Sequence, residues 1–249
     1  MKTILKQFLK YYLKFFTRLT LMVKRPVIIA IAGSTNKTFT RDEIIARLSA
    51  QNLPVRTNPK SFNTEIGLPL SILNLESGYN EYSQWIPTLL AAPLSIFKKD
   101  FPKYLVLELG ISSPGDMKYL LSLINPDIAV ITDITQRYVD SFAGMDRLVD
   151  EYEYLSKKTK KDGLLILNKD NYRINSLAKS SRTRVCKFGI NKNADWQATL
   201  VEKTKSGQSL KILHNKESKR YAIPRHGSHH VYALLAGLII EDYVISHNK

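Results

Sequence analysis

Four stretches of the chain are apolar almost without interruption and short enough to be strands: residues 26–33, 104–110, 127–132 and 163–168. Runs of this kind, rich in β-branched residues, predict strands buried on both faces. Between them, residues 41–48, 115–124 and 145–158 carry apolar positions at helical spacing, so strands and helices alternate. The expected fold class is therefore α/β, a mostly parallel sheet with flanking helices. From Trp196 to Ile223 the pattern changes to alternation, with Ser206-Gly207 and His214-Asn215 as turns, which predicts a small antiparallel hairpin. Val231 to Ser246 then reads as a closing helix. Ligands of such sheets gather at the carboxyl ends of the strands, where Gly33, Glu108, Asp133 and Asn168 fall.

The first 25 residues follow a different rule. Lys2, Lys6, Lys10, Lys14 and Arg18 recur every fourth position, with Leu5, Phe8, Leu9, Tyr12, Leu13, Phe15, Phe16 and Leu19 between them. This is a basic amphipathic helix, and the division expected is residues 1–25 as that helix and 26–249 as the α/β domain. No apolar run approaches the roughly 18 to 20 residues that cross a bilayer, and no small-residue cleavage site follows. The helix either packs its aromatic face on the domain or a partner, or lies at a membrane surface held by anionic headgroups.

Composition narrows the class without choosing a function. Over 249 residues, 44% hydrophobic and 24% charged residues are ordinary globular values that exclude a disordered or collagen-like chain. A single cysteine, Cys186, makes no internal disulfide, so a cytoplasmic address, with a possible station at the inner face of the membrane, is the expectation. The net charge of +15 favours anionic partners, and seven basic residues with no acid lie in residues 1–25. Nucleic acid is the poorer candidate, because the run Lys157-Lys158-Thr159-Lys160-Lys161 reads as a solvated helix end with no base-stacking aromatic motif.

The segment Gly33-Ser34-Thr35-Asn36-Lys37-Thr38 joins a predicted strand to a predicted helix, the context of a phosphate-binding loop. The strict pattern of that loop requires glycine at positions occupied by Ile31 and Asn36. Asparagine is nevertheless among the side chains that best tolerate the left-handed backbone needed before the lysine. Lys37 can neutralise phosphate oxygens, Thr38 can ligate magnesium, and the helix amino terminus attracts the anion.

Six blocks in order carry a family resemblance: the loop; Asn63-Thr64-Glu65-Ile66-Gly67-Leu68-Pro69-Leu70; Glu108-Leu109-Gly110 with Ser113-Pro114-Gly115-Asp116; Pro126 through Ile134; Leu167-Asn168-Lys169-Asp170; and Gly227-Ser228-His229-His230-Val231. Together they resemble the central ATPase domain of the Mur ligase family over residues 26 to about 240, most of all its D-alanyl-D-alanine-adding branch. The resemblance implies ATP and Mg2+ as cofactors and an ATP-dependent carboxylate–amine ligation through an acyl phosphate, in peptidoglycan-precursor synthesis. It further implies that Lys37 holds phosphates and that Thr38 and Glu108 hold the metal, with Lys37 and Glu108 as the catalytic pair. The resemblance also implies that the loop residues Gly33, Ser34, Thr35 and Asn36, together with Asp133 and His229, lie toward the nucleotide. It places Asn63 and Thr64, by the same analogy, toward an anionic UDP-muramyl-peptide-like substrate.

Several family positions are altered. Asn36 replaces the loop glycine and Phe39 a hydroxyl residue; Asp133 stands for an adenine-side asparagine and Tyr138 for a metal-side histidine; Tyr152 occupies the place of a lysine that some members carbamylate, with Glu153 keeping the register. His230 and Ala233 replace two asparagines. The family's amino-terminal UDP-binding and carboxyl-terminal amino-acid-binding domains are expected to be missing from this sequence, which leaves a second chain that supplies the missing half, a truncated product, or a pseudoenzyme scaffold that binds a partner ligase or the membrane.

Overall fold

The computed structural model describes residues 2–59, 61–79, 81–190 and 193–247. Helix α1 (Lys2–Lys24) leads into β1 (Val27–Ala32), which the loop at Gly33 joins to α2 (Lys37–Ala50). The short strand β2 (Val55–Thr57) and helices α3 (Gly67–Leu73) and α4 (Trp85–Leu94) precede β3 (Tyr104–Glu108). There follow α5 (Asp116–Leu120), β4 (Ile128–Ile131), α6 (Met145–Lys158), β5 (Leu164–Asn168), α7 (Tyr172–Ser180) and β6 (Arg184–Gly189). Strands β7 (Trp196–Thr204), β8 (Gly207–His214) and β9 (Glu217–Ile223) and helix α8 (Ser228–His247) complete the order.

Among the described residues nine strands form one sheet in the order β2-β3-β1-β4-β5-β6-β7-β8-β9, parallel from β2 to β7 and antiparallel at β7, β8 and β9. The central strands read as unbroken apolar runs because each buries both faces. Ile28, Ala30 and Ala32 of β1 enter a core with α3, α5, α6 and α7, while Ile29 and Ile31 enter a second core with α2 and α8. Helix α8 is apolar on nearly every side from Val231 to Ile240 and correspondingly buried. Truncating its fully buried Leu235 to alanine is expected to cost about 2–5 kcal/mol, read as a lower urea midpoint at unchanged slope.

A third cluster, built on Leu9, Leu13, Leu70, Leu73, Trp85 and Ala92, docks α1 on α3 and α4. The chain leaves β1 toward β2 on one side, while β4 and β5 extend the sheet on the other. The loop after β1 therefore lies where the direction of the sheet reverses, the place where open α/β sheets bind ligands.

Two expectations change. The helix anticipated over 115–124 is regular only from Asp116 to Leu120, after which tight turns lead to the Asn125-Pro126 stop. The anticipated hairpin is a three-stranded meander continuous with the parallel sheet, and its turns sit one residue from the expected pairs, at 205–206 and 215–216. The second turn has positive φ at both Asn215 (49°) and Lys216 (67°), as a two-residue hairpin turn of the primed type requires.

Candidate nucleotide site

At the end of β1, Gly33 adopts φ +151°, and a Cβ there would stand 2.1 Å from the Thr132 hydroxyl oxygen. That hydroxyl donates to the Thr35 carbonyl at 2.7 Å, so the loop is pressed against the end of β4. The Ser34 amide donates to the Asp133 carbonyl at 2.7 Å and the Thr35 hydroxyl to Asp133 Oδ2 at 3.1 Å. Asn36, with φ 64° and ψ 2°, takes the left-handed conformation expected of it and opens α2 without a side-chain cap. The first amides of α2 are thus left for an incoming acceptor.

Lys37 folds back so that Nζ donates to the Gly33 carbonyl at 2.5 Å. Burial lowers its pKa from the ordinary lysine value, Glu108 opposes the shift, and Arg137 adds to it. Beside it, the Thr38 hydroxyl points at Glu108 Oε2 at 3.4 Å. Glu108 is only 6% exposed, and its Oε1 is buried without a hydrogen bond, although it pairs with Arg41 Nη1 at 2.9 Å. A hydroxyl and a buried carboxylate facing each other at the mouth of a phosphate-type loop are hard oxygen donors of the kind Mg2+ takes alongside phosphate oxygens and water. Thr38 and Glu108 therefore fit a magnesium ion in number and chemistry.

Sequence reasoning did not single out the residues that set this carboxylate in place. Asn58 donates to the Glu108 carbonyl at 3.1 Å and accepts from the Glu108 amide at 2.8 Å, fixing the end of β3. Arg41 also donates to the Asn58 carbonyl at 3.1 Å, closing the ring. The spacing from Thr38 to Arg41, three residues on one helix face, was the available signal; for Asn58 there was none.

On the far side of the loop, Asp133 accepts from Asn171, which also donates to the Ile134 carbonyl at 3.1 Å. Tyr152 is 1% exposed, shares a 3.4 Å hydrogen bond with the Ser34 hydroxyl, and burial pushes its phenol up to about 12. It fills the space behind the loop as a neutral group. Tyr138 is half-exposed with φ 68°, and its ring lies 5.0 Å from the Arg137 guanidinium carbon. His229 reaches the site through Phe39: the two rings are 4.6 Å apart, and His230 lies 4.9 Å from Phe39. Burial, then His229 and Arg225, hold His230 below the usual histidine range.

Asn63 lies against Gly110, two residues past Glu108, where a Cβ on the glycine would meet its side-chain oxygen at 2.6 Å. Thr64 stands on the exposed rim, its carbonyl accepting from the Leu68 amide at 2.9 Å. The structure thus gathers Gly33 through Thr38 with Glu108 and Asp133, places Asn63 at their edge, and leaves Thr64 and His229 one shell outward.

The Mur ligase middle domain model matches residues 31–240. The chain belongs to the Mur ligase family. It is 26% identical over 215 residues to the UDP-N-acetylmuramoyl-tripeptide–D-alanyl-D-alanine ligase of Buchnera aphidicola and 28% identical over 216 residues to that of Bacillus subtilis. These alignments cover 86% and 87% of this chain but 41% of each relative. Among solved structures, the Thermotoga maritima MurF ligase in complex with ADP superposes with a TM-score of 0.77 at 20% identity, over 94% of this chain and 49% of that one. A MurF from Acinetobacter baumannii gives 0.72 at 18% identity. The chain spans less than half the length of these relatives, and what it shares with them is the central Mur ligase domain.

Proposed function

We propose that this chain is the ATP- and magnesium-binding part of an acid–amino acid ligase acting on an anionic UDP-muramyl-peptide-like substrate in peptidoglycan-precursor synthesis. The observation that carries the reading is the convergence of Lys37, Thr38 and Glu108 on the amino terminus of α2, at the reversal point of the sheet. A substrate carboxylate oxygen bonds to the γ-phosphorus as the bond to ADP breaks. The amine of the incoming amino acid or dipeptide then forms the amide, loses its proton, and expels phosphate.

This chain's share is binding and positioning, where most of the catalysis of phosphoryl transfer resides. Lys37 leaves the Gly33 carbonyl to meet phosphate oxygens, and the loop amides take the rest of the charge. Thr38 and Glu108 would hold Mg2+, which supplies neutralisation of the phosphates when bound. Asn63 and Thr64 would face the muramyl substrate, and a second domain or chain would bring the amine.

Calorimetric titration of ATP with magnesium into the chain tests the reading. Saturable micromolar binding is expected, with Glu108→Ala abolishing the magnesium dependence. Absence of heat and of thermal stabilisation at millimolar ATP would overturn it. The lowered pKa of Lys37 adds a pH signature. Its ammonium is lost before pH reaches the ordinary lysine value of 10.5, so affinity should fall on the alkaline side. Lys37→Arg, which stays charged, should flatten that fall.

A further inference from the structure

Helix α1 buries one side and exposes the other, and the exposed side is not polar. Leu9, Leu13, Thr17 and Thr20 face the domain, whereas Ile4, Phe8, Tyr11, Phe15 and Met22 are 52–76% exposed and share the opposite face at helical spacing. The stripe runs about 27 Å at 1.5 Å per residue. Neighbouring α4 repeats the arrangement: Trp85 and Ala92 are buried, while Ile86, Leu90 and Leu94, spaced four apart, are 59–69% exposed, followed by Phe97 at 76%. The Tyr12 hydroxyl joins the two helices, donating to the Leu89 carbonyl at 2.8 Å, and Lys24 Nζ donates to the Lys98 carbonyl beyond α4 at 2.6 Å. Of the seventeen large hydrophobic side chains exposed among the described residues, these two helices hold nine and Phe97, just past α4, makes a tenth.

Charge says what covers this face. Along one flank of the stripe runs the row Lys6, Lys10, Lys14 and Arg18, and residues 1–25 contain no carboxylate. Lys6 pairs with Glu65 at 2.9 Å and stays 59% exposed; Lys10 lies 3.9 Å over the Tyr119 ring. Lys14 donates to the Ser122 hydroxyl at 2.6 Å, and partial burial, then Arg18 and Lys10, hold its ammonium below the ordinary lysine range. The row is therefore crowded with like charge and only lightly neutralised. A long apolar-aromatic stripe edged by cations matches an anionic bilayer, where acyl chains take the stripe and headgroups take the row. Among the described residues no helix is long and apolar enough to cross a membrane, so the fit is to a surface.

We infer that the outer faces of α1 and α4 form a docking surface for a membrane rich in anionic lipids. The consequence for the site is geometric: Lys6 binds Glu65, the neighbour of Thr64, so the loop carrying Asn63 and Thr64 lies beside the amino-terminal half of the docked helix. This inference is independent of nucleotide binding.

The test is sedimentation of the full chain with vesicles of phosphatidylcholine containing about one-third phosphatidylglycerol. Expected are binding to these vesicles but not to phosphatidylcholine alone, and loss of binding between about 0.1 M and about 0.5 M salt, as screening shortens. Phe8→Ser combined with Phe15→Ser should weaken binding at least about tenfold at an unchanged melting temperature, since both rings are exposed. Leu90→Ser should weaken it separately, and Lys37→Ala should leave it intact. Absence of vesicle binding, equal binding to neutral vesicles, or indifference to these serine variants would each overturn the inference. So would a lipid-free dimer that the double variant makes monomeric, since the stripe would then belong to a second copy.

Discussion

Gly33→Ala is expected to lower stability by about 2–4 kcal/mol and to eliminate ATP binding. Two costs coincide at this position. The backbone sits at φ +151°, where a side chain is strained, and the added methyl would lie 2.1 Å from Thr132 Oγ1 and 3.0 Å from the Asp133 amide nitrogen. Neither neighbour is the free end of a flexible chain. The Thr132 hydroxyl is held by the Thr35 carbonyl at 2.7 Å, and the Asp133 backbone accepts the Ser34 amide at 2.7 Å. Relief must therefore open the loop and misplace the amides that would bind phosphate. Urea denaturation and ATP calorimetry on the same variant check both halves. Thr132→Ser/Gly33→Ala should recover little, because the hydroxyl remains. Native-like stability in Gly33→Ala would show that the loop is softer than its contacts imply.

Lys37→Ala should separate stability from binding in the opposite way. If Lys37 makes the proposed contacts to phosphate, taken as about two charge-assisted bonds of about 1.5 kcal/mol each, its loss should weaken ATP by at least about a hundredfold. Stability should hold or rise. The sign follows from the shift: burial lowers the folded-state pKa below the unfolded value of 10.5, so the folded chain binds this proton less readily than the unfolded chain. At neutral pH the charged lysine thus opposes folding, and stability improves as pH climbs from the folded pKa toward 10.5. Removing the lysine removes that penalty and flattens the alkaline slope of the melting temperature. A variant that melts markedly lower while keeping its ATP affinity would assign Lys37 to the scaffold.

Much of this was legible in the chain. Strands β1, β3, β4 and β5 are continuous apolar runs because burial on both faces removes the need for alternation, and the same fact makes them easy to find. Strand β6 hid behind Arg184 and Lys187, since only Phe188 and Gly189 of it are buried. β2 is three residues long with every position half-buried, too short to carry a period. Helix α3 is buried at all seven positions, which erases the contrast between faces on which helical spacing depends. At the site, the loop and Glu108 announced themselves by position relative to predicted strands. Asn58 and Asn171 act through backbone groups far away in sequence, at Glu108 and Ile134, and no local pattern encodes such a partnership.

Helix α2, which begins at the loop after β1, is covered by α8: Arg47 of α2 meets Glu241 of α8 at 2.7 Å, and Phe39 packs on His229. Synthesis at about 5–20 residues per second separates Arg47 from Glu241 by about 10–40 s. Throughout that interval the apolar face of α2, with Ile44 and Leu48, lacks its cover. Helix α2 thus leaves the ribosome well before the helix that covers it, and the nascent chain carries that exposed face as a standing invitation to chaperones.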